Sequence, residues 1–180
     1  MLIMLNTFIC TAPTLSEKIR EEQKELVVVR VEEWRQEEVF IKFSDHLGFK
    51  ESGNNPDTIN RIGCFGEWQF KESTLHYIGY REVTLKKFRT NPEIFPKEIQ
   101  REALRTLINV NWTLLHDYQY YVGRVIDDVL ITKSGMLAAA HLGGTESVKL
   151  FLLSKGRVNN RDINKTTIKK YLKEFQGYDL

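Results

Sequence analysis

Cysteine is nearly absent: Cys10 and Cys64 are the only two in the chain. That is too few for a disulfide framework, so the fold must rest on a hydrophobic core; one bridge or two free thiols both stay open. The histidines His46, His76, His116 and His141 are scattered without metal-ligand spacing, so no metal site is expected. A dominant charge of one sign is missing too. The net charge is +2, which gives no ground for nucleic acid or an anionic membrane as a partner. No apolar run approaches the roughly 20 residues that a spanning helix needs, so no integral membrane segment is expected. Internal repeats and low-complexity tracts are absent.

What is present is enough for one globular domain. A length of 180 residues with 42% hydrophobic content supports a single core, with residues 1–36 set apart as an N-terminal arm and residues 37–180 as the domain. Residues 1–12 are mostly apolar, from Met1 to Phe8, Ile9 and Ala12. They resemble the core of a secretion signal, but no Lys or Arg precedes them and no clean small-x-small cleavage site follows. Three readings stand: a weak signal, a signal whose basic start is missing from this sequence, or a buried arm.

Along the chain, apolar spacing predicts mainly helix. Ser16 to Glu33 reads as a charged lead-in helix, although the β-branched run Val27-Val28-Val29 opposes it. Val39, Phe40, Phe43 and Leu47 recur at helical spacing. The breakers Gly53-Asn54-Asn55-Pro56 should end that helix near Glu51-Ser52. Asp57 to Gly66 reads as loop, Glu67 to Ile78 as helix, and Val83 to Phe88 as a short helix or turn. Lys97 to Tyr118 has the broadest apolar face and is expected to be a buried central helix. Val125 to Ile131 reads as a small hairpin turned by Asp127-Asp128. Gly135 to Leu142 should pack closely through its small residues and end at Gly143-Gly144, before a short helix to Leu153. A last helix from Thr166 to Phe175 should open with a threonine cap and bury Ile168, Tyr171 and Leu172. The expected fold is mainly α with at most one small β-hairpin.

The chemistry concentrates between Glu51 and Leu75. A glutamic acid where a helix end meets a cleft loop can be partly desolvated, and desolvation helps a carboxylic acid keep a proton for a leaving oxygen. Gly63 and Gly66 let backbone approach a ligand or take positive φ. Trp68 and Phe70 offer flat apolar faces for sugar C–H surfaces, and Asn60 and Gln69 offer amides for hydroxyl and acetamido groups. Each has a plainer reading. Glu51 could be a solvated helix-end acid, Trp68 and Phe70 core residues, the glycines turn formers, and His141 a structural histidine.

Order and spacing go further than residue type. Glu51-Ser52, Asn55-Pro56, Asn60, Gly63-x-x-Gly66-x-x-Gln69 and Ser73-Thr74 follow one another over about 25 residues. This stretch resembles the motif of the lytic transglycosylase and goose-type lysozyme group. Ala138-Ala139-Ala140-His141-Leu142-Gly143 is similar to that group's Ala-x-Tyr-Asn-x-Gly helix, with Ala140 at the tyrosine and His141 at the asparagine. Glu67-Trp68 stands where the group has Leu-Met. The similarity spans roughly residues 37 to 155 and leaves out the last helix.

The resemblance implies a lysozyme-like helical domain and a bacterial peptidoglycan-cleaving glycosidase acting between N-acetylmuramic acid and N-acetylglucosamine. It implies Glu51 as sole general acid and base, with Ser52, Asn60, Trp68, Gln69, Phe70 and His141 binding substrate or supporting the site. Neither metal nor organic cofactor is implied. The expected partner is the peptidoglycan strand, the expected state a monomer, and the expected location the periplasm or cell exterior. The alternative is a non-catalytic wall-binding module on the same fold; a helical interaction protein is the third reading.

Overall fold

The computed structural model describes residues 14–180, so Cys10 and the apolar N-terminal run lie outside the described residues. The chain divides into two compact units between Glu37 and Glu38. Helix α1 runs Leu15–Ser52. In the first unit it carries exposed apolar residues, among them Leu26, Val28 and Trp34. The second unit, Glu38–Leu180, holds the core.

From Glu38 onward α1 is amphipathic at helical spacing: Phe40, Phe43 and Leu47 are buried. The helix stops where the breakers predict. Gly53 and Asn54 take positive φ, and their N–H groups donate back to the carbonyls of Phe49 (3.1 Å) and Gly48 (3.2 Å). The first of these is the five-to-one bond of an αL-type helix end, and the second reaches six residues back. Glu51 therefore sits in a last turn whose backbone is closed off rather than frayed.

The loop beyond it is built from the inside. Asn60 Oδ1 accepts from the N–H of Ile62 (3.0 Å) and of Cys64 (2.9 Å). Antiparallel bridges join Ile59 to Phe65 and Phe65 to Phe70. The helix expected over Glu67 to Ile78 is shorter than that: α2 spans only Glu72–Tyr77. Residues 66–70 form a tight turn instead, because Gly66 (φ 81°) and Gln69 (φ 50°) are left-handed and Phe65 and Phe70 exchange backbone hydrogen bonds. Helical periodicity in the side chains lost to turn chemistry.

Helix α3 (Leu85–Thr90) is capped by the Thr84 hydroxyl. Helix α4 spans Lys97–Leu114 and passes into a 3-10 turn, His116–Tyr121, short of the single helix to Tyr118 that periodicity predicts. Its inward face carries Ala103, Leu104, Leu107 and Ile108, together with the polar Gln100 and Asn111. Strands β1 (Val125–Ile126) and β2 (Val129–Leu130) pair antiparallel around Asp127 and Asp128, both at positive φ, as the Asp pair predicts.

Helix α5, Lys133–Leu153, kinks at Gly144. Residues 134–140 are buried without interruption. The small side chains allow α6 (Ile168–Glu174) to pack closely: a methyl added at Gly135 would lie 2.6 Å from the Leu172 carbonyl oxygen. The Thr167 hydroxyl caps α6, and Ile168, Tyr171 and Leu172 face inward, as expected. The architecture is mainly helical with one small hairpin, as the sequence predicts. Among the described residues, no helix is long and apolar enough to cross a membrane.

Candidate active site

A cleft of about 770 Å³ opens where the end of α1, the 60–77 segment, the middle of α5 and the 160–168 segment meet. Glu51 lines it and is half-buried. Its Oε1 accepts a hydrogen bond of 2.9 Å from the hydroxyl of Tyr171. No partner to Oε2 is found among the described residues. Burial, followed by the charge of Glu51 and its hydrogen bond, pushes the Tyr171 phenol well above the ordinary tyrosine range. Tyr171 therefore stays protonated near neutral pH and donates to one oxygen of the carboxyl, while the other has no partner among the described residues.

Tyr171 is the residue that sequence reasoning missed in the site. Ala140, where the resemblance leads one to expect a tyrosine, lines the cleft with no hydroxyl to offer. The last helix, left outside the resemblance, supplies one instead. A signal was present: Tyr171 shares the buried stripe of α6 with Ile168 and Leu172, and a buried tyrosine hydroxyl must find a partner.

His141 does not take the missing tyrosine's place. Its Nε2 lies 2.8 Å from the carbonyl oxygen of Trp68, so that nitrogen carries the proton, and Nδ1 is buried without a hydrogen-bond partner. The ring stands edge-on to Phe70 at 6.0 Å. His141 lines the cleft as a strut between α5 and the glycine loop rather than as a partner of Glu51.

The other predicted residues divide. Asn60, Gln69 and Phe70 line the cleft beside Glu51. Gln69 Nε2 donates to the carbonyls of Gly66 (2.7 Å) and Thr58 (3.3 Å), which leaves its amide oxygen for a ligand. Trp68 is fully buried and does not line the cleft; its indole N–H donates to the Ser44 carbonyl at 2.8 Å. It supports the floor from below and offers no face to a sugar. Ser52 is also outside the lining. Its hydroxyl donates to the Gly48 carbonyl (3.3 Å) and accepts from Asn55 N–H (3.0 Å), closing the turn after α1.

Behind the cleft lies a polar support that no motif announced. The buried Gln100 of α4 accepts from Glu67 N–H at 2.6 Å and donates to the carbonyls of Pro56 (2.9 Å) and Phe95 (2.7 Å). A methyl at Gly66 would lie 2.6 Å from that same amide oxygen. Gly66 thus serves both a left-handed backbone and a close approach. Glu67 is fully buried, with Lys97 Nζ 2.9 Å from Oε2. The backbone of Gly48 leaves room for it, since a methyl there would meet Glu67 Oε1 at 2.9 Å. Cys64, a free thiol, lines the cleft, and burial pushes it above its ordinary range.

Among the described residues, no group of three or more His, Cys, Asp or Glu side chains could hold a metal. The site is thus a half-buried carboxyl at a helix end, held by a tyrosine, over a polar cleft that the half-buried Asp162 also lines. No family model, no curated protein and no solved structure matches this chain.

Proposed function

We propose that this protein cleaves the glycan strands of peptidoglycan between N-acetylmuramic acid and N-acetylglucosamine, with Glu51 as the single general acid and base. One observation carries the reading: the Glu51 carboxyl lies at the cleft with one oxygen held by Tyr171 and the other unengaged among the described residues. An acid that delivers a proton along one direction needs that kind of orientation. The ordered motif from Glu51 to Thr74, whose resemblance implies a lysozyme-like frame, surrounds the same cleft through Asn60, Gln69, Ser73 and Thr74.

In this reading Glu51 protonates the glycosidic oxygen. The 2-acetamido oxygen of the muramyl residue attacks its own C1 and stabilises the charge, so no second protein carboxylate is required. The ionised Glu51 then takes a proton from the muramyl 6-hydroxyl, which closes an anhydro ring, or from a water, which yields a reducing end. Asp162 is the other carboxylate in the lining, and its Oδ1 already accepts from the N–H groups of Asn164 (3.0 Å) and Thr166 (2.6 Å). That internal duty favours substrate assistance over an Asp162 base. Action on such strands places the protein in the cell envelope.

The test is Glu51→Gln on purified cell walls. Wild-type protein should clear the suspension and release muropeptides, and the variant should keep its helical spectrum and release none. Equal clearing by both proteins sinks the reading. Wild-type binding to insoluble walls with no muropeptides released would replace it with the wall-binding module. Mass spectrometry of the products separates anhydro from reducing ends.

A further inference from the structure

Four charged residues line the cleft: Glu51, Lys71, Arg161 and Asp162. The two carboxylates have internal partners, Tyr171 for one and two backbone N–H groups for the other. The two cations are in a different position. Both are exposed, and no ion pair or hydrogen bond engages either side chain among the described residues. The cleft thus holds two cations without a direct ion-pair partner among the described residues, alongside two half-buried acids.

Their backbones are fixed. Lys71 is the residue before α2, directly after the Phe65–Phe70 bridge. It lines the same cleft as Glu51 and Cys64. Arg161 is bridged antiparallel to Thr167 at the mouth of α6. Its neighbour Asn160 accepts from Ile168 N–H (3.1 Å) and donates to Ser147 Oγ (3.1 Å). Two cations anchored on separate segments of one cleft form a preorganised receptor for anions carried by whatever lies between them.

We propose that Lys71 and Arg161 bind carboxylates on the strand, so that the site selects anionic, carboxylate-bearing peptidoglycan over neutralised strands. This rests on the peptidoglycan reading of the cleft. A glycan backbone of neutral sugars gives these cations nothing to pair with. Peptidoglycan carries carboxylates in two places: on its stem peptides and, once a stem is removed, on the lactyl group of N-acetylmuramic acid. The shared chemistry is a carboxylate within reach of a guanidinium and an ammonium, and the planar guanidinium suits bidentate pairing.

Three soluble strand preparations test this. One carries native stems, one has its stem carboxylates amidated with carbodiimide and ammonia, and one is stripped of stems and keeps lactyl carboxylates. Wild-type protein should show kcat/KM on native strands roughly three- to tenfold above that on amidated strands, the scale of two partly exposed ion pairs. The advantage should shrink as salt rises. Lys71→Gln/Arg161→Gln should bring the native-to-amidated ratio close to one, while Lys71→Arg and Arg161→Lys keep most of it. Stripped strands cut like amidated ones assign the contact to the stems alone, and stripped strands cut as fast as native ones show that the lactyl carboxylate freed by stem removal is bound as well; either result supports the proposal. Equal wild-type cleavage of native and amidated strands overturns it, as does a double variant that keeps the preference. No cleavage of any preparation by wild type would instead remove the enzymatic reading itself, so the two failures are told apart.

Discussion

The hydroxyl of Tyr171 donates to Oε1 of Glu51 at 2.9 Å, across 120 positions of sequence. This contact joins the last inward turn of α6 to the final turn of α1. It does from the C-terminal helix what the resemblance leads one to expect from α5, where Ala140 stands. The hydroxyl belongs to the site through the third dimension alone.

Tyr171→Phe removes the donor and keeps the ring. A hydrogen bond to a charged group contributes about 1.5–3 kcal/mol. Activity on cell walls should therefore fall on the order of ten- to a hundredfold. Because Tyr171 orients the acid and is not itself in the lining, the loss should appear in kcat, with KM little changed. A loss confined to KM would place Tyr171 in substrate binding instead.

Alkaline pH gives an independent reading of the same contact. Burial, and the neighbouring Glu51 charge after it, hold the folded-state Tyr171 phenol above its unfolded value of about 10. A raised folded value means the stabilisation is full below about pH 10 and declines as pH climbs above it, because the unfolded chain then releases this proton first. Urea midpoints measured from about pH 8 to about pH 11 should fall more steeply in wild type than in Tyr171→Phe. Parallel curves would show that Tyr171 does not govern the alkaline limb.

Gly66→Ala combines two costs. The backbone sits at φ 81°, and the new methyl would lie 2.6 Å from Gln100 Oε1. The left-handed conformation alone costs about 1–2 kcal/mol for an L-residue, and the crowding adds to it. Gln100→Ala unfastens the same loop from the other side, leaving Glu67 N–H and two carbonyls without partners, at about 1–3 kcal/mol for each group that stays dry. Both variants should lower the urea midpoint and the cell-wall activity together. The two substitutions should also be non-additive, since they strike one contact.

Glu67 and Lys97 should behave as a pair. Glu67 is fully buried while the Lys97 side chain is 39% exposed, so the acid bears most of the desolvation. Lys97→Met should destabilise by roughly 2–4 kcal/mol, because it strands a buried carboxylate. Glu67→Leu with Lys97→Met should recover most of that loss, since a well-packed apolar pair often matches a buried ion pair. A double variant no more stable than Lys97→Met would mean that the Glu67 site holds its shape through the carboxylate itself.

Much of the frame is readable along the chain. The stripe Phe40, Phe43, Leu47 and the breaker cluster after Ser52 locate the end of α1, and with it Glu51, from local rules alone. The Asp127-Asp128 turn, the Thr167 cap and the inward stripe of α6 are local as well. These features depend on neighbours within one or two turns, and the sequence displays those neighbours directly. The 66–70 turn reads as helix in the sequence because its side chains keep a helical rhythm. Its conformation depends instead on Phe65 pairing with Phe70 and on Gln100, from α4, reaching Gly66.

The sequence by itself determined a mainly helical domain, a carboxyl at a helix end, and an ordered set of amides and glycines beside it. Only the tertiary structure decided which side chains share the cleft. It turned Trp68 inward to Ser44, tied His141 to the Trp68 carbonyl, and brought Tyr171 to Glu51. The physical reason is that a helical stripe says which residues face inward but not what they meet. A buried hydroxyl, indole or imidazole then takes the partner that packing brings within reach, however far away in sequence.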